Sequence, residues 1–113
     1  MRPEARKYLY DIQQAAMRVA DFTGGKRFED YHDNAMLRAA VERQFEIIGE
    51  AVAQLVKLDE KLAARLSGHR RIIAFRNILI HGYTDVDERL VWDVVETKLP
   101  VLRHEVAMLL TEE

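Results

Sequence analysis

The segment 33–58 constrains the fold more than any other part of the chain. Its apolar residues follow a seven-residue pattern through Leu37, Val41, Gln44, Ile48, Ala51, Leu55 and Leu58, of which six are apolar. Spacings of three and four residues place side chains on one side of an α-helix. Asp33 or Asn34 can cap the first turn. We therefore predict one long helix that packs along its length in a bundle.

The remaining segments also favour helix, and no alternating strand pattern of useful length occurs. Pro3 suits a first helical turn, Gly82 suits a helix end, and Asp59 and Asp87 suit caps. Pro100 should either kink the last helix or open a new first turn. The predicted helices have the approximate bounds 4–22, 34–58, 59–67, 69–80 and 88–110, with a loop or single turn at 26–32. We predict an all-α, antiparallel bundle of four to five helices, in a single domain covering residues 1–113.

Two details of the long helix carry further expectations. Gly49 lies inside it, where glycine is less favourable than alanine by about 1 kcal/mol. A close approach by another helix, in this chain or across a dimer, would explain that glycine. Glu42, Glu46 and Glu50 recur every four residues, and we interpret them as a salt-bridged helix face. Arg38 and Arg43 are the candidate partners.

Composition excludes several classes of site. The chain has no cysteine, which removes disulfides, thiolate metal sites and cysteine nucleophiles. No two histidines have metal-ligand spacing on one helix face. We predict no metal and no cofactor. No apolar run approaches the roughly 20 residues that span a bilayer, and the charged N-terminal segment is unlike a signal peptide. We expect a soluble, cytoplasmic protein.

The net charge of −2 conceals a basic stretch at 61–84. That stretch contains no acidic residue and has a formal charge of +5, which leaves −7 for the rest. Its basic residues are Lys61, Arg65, Arg70, Arg71 and Arg76. A basic patch on an acidic body suits a polyanion. The alternative is a cationic helix face that pairs with the acidic segments.

The segment 75–83 places four chemically useful side chains near the end of a predicted helix: Arg76, Asn77, His81 and Tyr83. Metal-free RNA cleavage needs a base for the 2′-hydroxyl, an acid for the leaving oxygen, and a cation for the phosphate. Histidine suits the proton transfers, and arginine binds two phosphate oxygens at once. Arg76 and His81 therefore form a minimal set for phosphodiester cleavage.

Spacing alone leaves other interpretations open. Residues five apart in a straight helix point about 140° apart. Arg76 and His81 therefore converge only if the helix ends or bends near Ile80, or if a second chain completes the site. Tyr83, seven residues after Arg76, would lie on nearly the same face. Otherwise His81 would complement the negative helix terminus, Asn77 would bond locally, and Tyr83 would be a half-buried aromatic.

A family resemblance strengthens the chemical interpretation. The pattern Arg76-Asn77-x-x-x-His81-x-Tyr83 resembles the Arg-x4-His-x-Tyr signature of the HepT-like branch of the HEPN superfamily. The polar residue after the arginine also matches that signature. The segments 40–51, 90–92 and 99–102 resemble the long-helix block and the C-terminal helix of the same branch. The similarity covers nearly the whole chain in order.

The resemblance implies an all-helical homodimer whose two motifs face one cleft and cleave RNA without a metal. In a type VII-like toxin–antitoxin pair, a minimal nucleotidyltransferase antitoxin silences such a toxin by transferring AMP to the motif tyrosine. Carried over, Arg76 and His81 are catalytic, Asn77 supports them, and Tyr83 is the modification site. We expect Arg70 and Arg71 to line an RNA groove, with tRNA and mRNA as candidate substrates. The alternative is a non-catalytic HEPN module that binds nucleotide or escorts a nucleotidyltransferase.

Overall fold

The computed structural model describes residues 1–112, and no strand occurs among them. Seven α-helices are present: α1 (Pro3–Thr23), α2 (Phe28–His32), α3 (Ala35–Leu58), α4 (Glu60–Ala63), α5 (His69–His81), α6 (Glu88–Asp93) and α7 (Leu99–Leu110). A π-helical turn, Val94–Lys98, joins α6 and α7 into one helical segment. This segment forms the bundle with α1, α3 and α5, whereas α2 and α4 are short. The prediction of an all-α bundle is confirmed.

Side-chain caps begin three of these helices where the sequence predicts them. The side chain of Asn34 accepts a hydrogen bond from the backbone N–H of Leu37, and Asp59 does the same for Leu62. Asp87 caps α6. The helix predicted to end near residue 67 instead ends at Ala63. Residues 64–68 continue as turns. The N–H groups of Arg65 and Leu66 bond carbonyls three residues earlier, as in helix-ending turns, whereas the N–H of Ser67 bonds the side chain of Glu105.

Pro100 lies in the first turn of α7, immediately after the π-helical turn. A proline cannot donate to the carbonyl four residues before it. The wider π-helical turn at 94–98 precedes this missing hydrogen bond, and the backbone N–H of Leu99 bonds the carbonyl of Val94, five residues earlier. The last helical region therefore passes through the proline with a local widening.

The core lies around α3, against which both α1 and α5 pack. Five of the seven residues in the predicted apolar pattern are buried, and the other two, Gln44 and Leu58, are partly buried. Trp92 is also buried, with its ring 5.3 Å from that of Tyr31. Within residues 1–112, no helix is long and apolar enough to cross a lipid bilayer.

Helix α5 is covered much less than the other long helices. It packs mainly on α3, and Leu79 is its one buried residue. Ile78 and Ile80 flank Leu79 and are 47% and 44% exposed. The helix that carries the candidate motif therefore lies at the edge of the bundle with apolar side chains on its open surface.

Candidate active site

Arg76 lies at the contact between α5 and α3, directly over Gly49. A Cβ atom built on Gly49 would lie 2.3 Å from the Cβ and 2.9 Å from the Cγ of Arg76. Both distances are far inside ordinary carbon–carbon contact, which is about 3.5–4.0 Å. Gly49 therefore permits the two helices to approach here. The predicted close approach is confirmed within the chain, and a dimer contact is not needed to explain this glycine.

The guanidinium of Arg76 is held by two neighbouring side chains. Its Nη1 donates to Oε2 of Glu50 at 2.6 Å. Its Nε and Nη2 donate to Oδ1 of Asn77 at 3.1 and 2.9 Å. These bonds use three of the five guanidinium N–H groups, which leaves two for a ligand. The side chain of Arg76 is only 16% exposed, so its orientation is fixed. Asn77 contacts Arg76 directly, as a supporting residue would.

Glu50 is the site residue that the sequence did not single out. The acidic face of α3 does form ion pairs, and Arg43 lies 3.6 Å from Glu46. The other expected partner was wrong, because Arg38 binds Glu88 at 3.0 Å. Glu50 instead contacts the motif arginine. The sequence does show that Glu50 follows Gly49. That position points to Arg76 only once α5 is known to pack on α3 at Gly49.

His81 is the last residue of α5, and its side chain is exposed. Among residues 1–112 its side chain has no hydrogen bond or ion pair. Helix α5 is regular through His81, so the five-residue spacing directs Arg76 and His81 about 140° apart. The bend near Ile80 that could bring them together is absent from α5. Within one chain, the side chains of Arg76 and His81 therefore point in different directions.

Tyr83 lies beyond the helix and is 79% exposed. The expectation that it shares a helical face with Arg76 was wrong, because α5 ends before it. A Cβ on Gly82 would lie 2.8 Å from the carbonyl oxygen of Ile78, so glycine suits this tight ending. The half-buried alternative for Tyr83 is also wrong. Its hydroxyl is accessible on the turn between α5 and Asp87.

Arg70 and Arg71 lie in the first turn of α5, and both are exposed. Arg70 is six residues before Arg76, about 9 Å along the helix axis. Arg70 binds Glu60 at 2.9 Å, whereas Arg71 has no ion pair within the described residues. Arg65 and Arg76 also bind carboxylates. Both interpretations of the basic stretch therefore apply, because exposed ion pairs contribute at most about 1 kcal/mol and can yield to a polyanion.

The sequence of the chain matches a known protein family. Residues 12–109 match the family described as Ribonuclease HepT-like. The chain belongs to the HepT-like ribonuclease family. A protein of Thermococcus cleftensis named Probable ribonuclease HepT is 33% identical to it over 91% of this chain and 93% of its own.

Two further relatives are named as candidate RNases. One, from Methanocaldococcus jannaschii, is 34% identical over 91% of this chain and 94% of its own. The other, from Caldanaerobacter subterraneus, is 32% identical over 96% of each chain. No solved structure matches the chain significantly. The family match includes α3, all of α5 and Tyr83, so it contains every residue of the candidate site.

The chemistry available to this HepT-like site follows from its side chains. Arg76 offers a fixed positive charge with two unused N–H groups, and His81 offers a solvent-accessible imidazole for proton transfer. The described residues contain no group of three histidine or carboxylate side chains placed to hold a metal ion. An arginine and a histidine are thus the two side chains of this candidate site that could interact with a phosphodiester.

Proposed function

We propose that this protein is a metal-independent endoribonuclease, the toxin of a type VII-like toxin–antitoxin pair acting in the cytoplasm. The observation that carries the proposal is the Arg76 guanidinium, fixed by Asn77 and Glu50 with two donors unused. Membership of the HepT-like ribonuclease family supports RNA as the substrate. The RNA class, tRNA or mRNA, is left to experiment.

The proposed reaction is attack of a 2′-hydroxyl oxygen on the adjacent phosphorus. A histidine takes the hydroxyl proton while the phosphorus–5′-oxygen bond breaks. A second proton goes to the leaving 5′-oxygen, and Arg76 stabilises the charge on the phosphoryl oxygens. The products are a 2′,3′-cyclic phosphate and a free 5′-hydroxyl. Each chain has one motif histidine, so base and acid are assigned to His81 of two protomers.

A homodimer would complete such a site. In one chain, Arg76 is packed against α3 while His81 stands free at the end of α5. The exposed side chains of Ile78 and Ile80 lie on opposite flanks of α5, and a second copy that packs along α5 would cover apolar surface there. With α5 of each protomer at the interface, the two motifs would face one groove. Arg70 and Arg71 would extend the positive charge of that groove toward neighbouring phosphates.

Tyr83 is proposed as the control point of the toxin. Its exposed hydroxyl would attack the α-phosphorus of ATP on a cognate minimal nucleotidyltransferase antitoxin, and pyrophosphate would leave. The resulting tyrosyl AMP adds a bulky anion two residues after His81. That anion would pair with arginines and exclude RNA from the groove. An exposed position on a turn after α5 suits the access that a modifying enzyme requires.

The second candidate function is a non-catalytic HEPN module that binds nucleotide or escorts a nucleotidyltransferase. One observation favours it: in the single chain, no hydrogen bond joins Arg76 to His81 among the described residues. The arginine would then serve as a phosphate-binding group alone. An RNA cleavage assay with purified protein distinguishes the two functions, because the non-catalytic module would bind RNA without cutting it.

The deciding experiment incubates purified protein with a single-stranded RNA in excess EDTA. The proposal expects cleavage with 2′,3′-cyclic phosphate ends, and no cleavage where a 2′-deoxynucleotide replaces the one attacked. Activity that disappears in EDTA and returns with magnesium would contradict the proposed chemistry. RNA bound but left intact under all these conditions would favour the non-catalytic module.

A further inference from the structure

We propose that Glu50 is a resident anion on Arg76, which a phosphate of the RNA backbone displaces when it takes the Nη1 donor in addition to the two unused ones. This inference rests on the proposed function for the identity of the ligand. It assigns Glu50 a role in setting the affinity of the site. A ligand with one phosphate would have to displace Glu50 unaided, whereas an RNA chain also binds through the other phosphates of its backbone.

The two partners of the ion pair differ in their freedom to move. The Arg76 side chain is 16% exposed and lies against Gly49, whereas the Glu50 side chain is 59% exposed. Arg76 cannot leave without disturbing the contact between α3 and α5. Glu50 can rotate into solvent from the surface of α3. When the ion pair breaks, the Glu50 carboxylate therefore moves and the Arg76 guanidinium stays in place.

Neighbouring polar groups make that displacement inexpensive on both sides. Oε1 of Glu50 already accepts a hydrogen bond from Nε2 of Gln54 at 2.9 Å, one turn later on α3. The carboxylate would keep a polar partner after leaving Arg76. The guanidinium would keep its two hydrogen bonds to Asn77, which fix its plane without Glu50.

A phosphate has the chemistry to replace Glu50. It is an oxyanion like the carboxylate, and it can accept hydrogen bonds from two guanidinium N–H groups at once. Removal of Glu50 would free a third N–H, on Nη1, in addition to the two unused ones. The Glu50 carboxylate is 59% exposed, so water and salt screen its attraction to Arg76, and a ligand held at several points can compete with it. Glu50 thus resembles the ligand that replaces it.

The test measures binding of a short RNA with 2′-O-methyl groups at every position, which the protein cannot cut. Glu50→Gln should lower the Kd by about threefold to tenfold, because a carboxylate in contact with Arg76 is removed. The matched control is Glu46→Gln, which removes the same charge one turn earlier on α3. Glu46 pairs with Arg43 rather than with Arg76, so its Kd should change by less than about twofold.

The same measurement in an Arg76→Ala background isolates the contact. The increase in RNA affinity caused by Glu50→Gln should disappear in that background, because the guanidinium that the carboxylate binds is absent. Equal effects of Glu50→Gln and Glu46→Gln would overturn the inference, as would a gain that survives without Arg76. Failure of both wild type and Glu50→Gln to bind the RNA would also overturn it.

Failure of the proposed function gives a different result. Suppose that wild type leaves ordinary RNA uncut while Glu50→Gln binds RNA more tightly and only when Arg76 is present. This result would refute the proposed ribonuclease function but support the proposed role of Glu50. If wild type cuts RNA but Glu50→Gln and Glu46→Gln bind RNA with the same affinity, the ribonuclease function is supported and the proposed role of Glu50 is refuted.

Discussion

Gly49→Ala should disable the site while leaving the chain folded, because it forces α5 away from α3 at Arg76. The added Cβ would lie 2.3 Å from the Cβ of Arg76. That atom belongs to the root of the side chain, so a change of rotamer cannot move it. Restoring an ordinary separation of about 3.5 Å requires the two helices to separate by roughly 1.2 Å.

Two opposing terms set the stability change. Overpacking of this kind typically costs about 1–3 kcal/mol, and alanine recovers about 1 kcal/mol of helix propensity relative to glycine. The free energy of unfolding should therefore fall by about 1 kcal/mol. The rate of RNA cleavage should fall much further. A catalytic group misplaced by about 1 Å can lower the rate by on the order of 10²-fold.

Urea denaturation and RNA cleavage of the same preparations measure both effects. Two backgrounds identify the contact that causes them. In Arg76→Ala the Cβ at 2.3 Å remains and only the weaker clashes with Cγ and Cδ are lost, so Gly49→Ala should keep most of its cost in stability. In Arg76→Gly the Cβ is absent, so the cost of Gly49→Ala should largely disappear. This comparison of double variants cancels the effect of each single substitution on its own helix.

Two results would refute the reasoning. One is a Gly49→Ala protein that is more stable than wild type by about 1 kcal/mol, as propensity alone predicts. The other is an equal cost of Gly49→Ala in the Arg76→Ala and Arg76→Gly backgrounds. Either result would mean that α3 and α5 do not meet closely at this point.

Three further predictions concern assembly, pH and modification. Light scattering at micromolar concentration should give twice the 13.2 kDa chain mass; a monomer would contradict the shared groove. Burial, with a smaller contribution from Glu46, raises the pKa of Glu42 above 4.5, so the contribution of Glu42 to stability should fall as pH rises through that pKa. Glu42→Gln should therefore be more stable than wild type at pH 7 and similar below pH 4.5 in urea denaturation; equal stability throughout would contradict this. With ATP and an active partner nucleotidyltransferase, mass spectrometry should find AMP on a Tyr83 peptide; unchanged mass and toxicity would remove this role.

The sequence predicted the helices well because their signals are local. The apolar pattern of α3 and the caps at Asn34, Asp59 and Asp87 depend on residues within one or two turns. The end of α4 was less predictable. The choice between another helical turn and the tighter turns at 64–68 depends on how the chain packs before α5.

The sequence names candidate site residues, but it does not predict their contacts. The motif pattern marks Arg76 and His81 as candidates, and both positions lie within the family match. The contact of Glu50 with Arg76 joins residues 26 positions apart, and no local pattern reports such a pairing. The position of Tyr83 could not be predicted from helical spacing either, because α5 ends at His81 and Tyr83 lies outside the helix.

The most direct test of the account compares RNA cleavage by purified wild type, Arg76→Ala and His81→Ala proteins. His81→Ala should lose about 10²–10⁴-fold in rate, the usual contribution of proton transfer, while largely keeping its RNA affinity. Arg76→Ala should lose both rate and affinity.

A mixed dimer with one wild-type and one His81→Ala chain tests the shared groove in the same assay. It should retain far less than half the wild-type rate, because base and acid come from different protomers. Half the activity would mean that each chain works alone. Wild-type rates of cleavage by both alanine variants would contradict the central claim that Arg76 and His81 cut RNA.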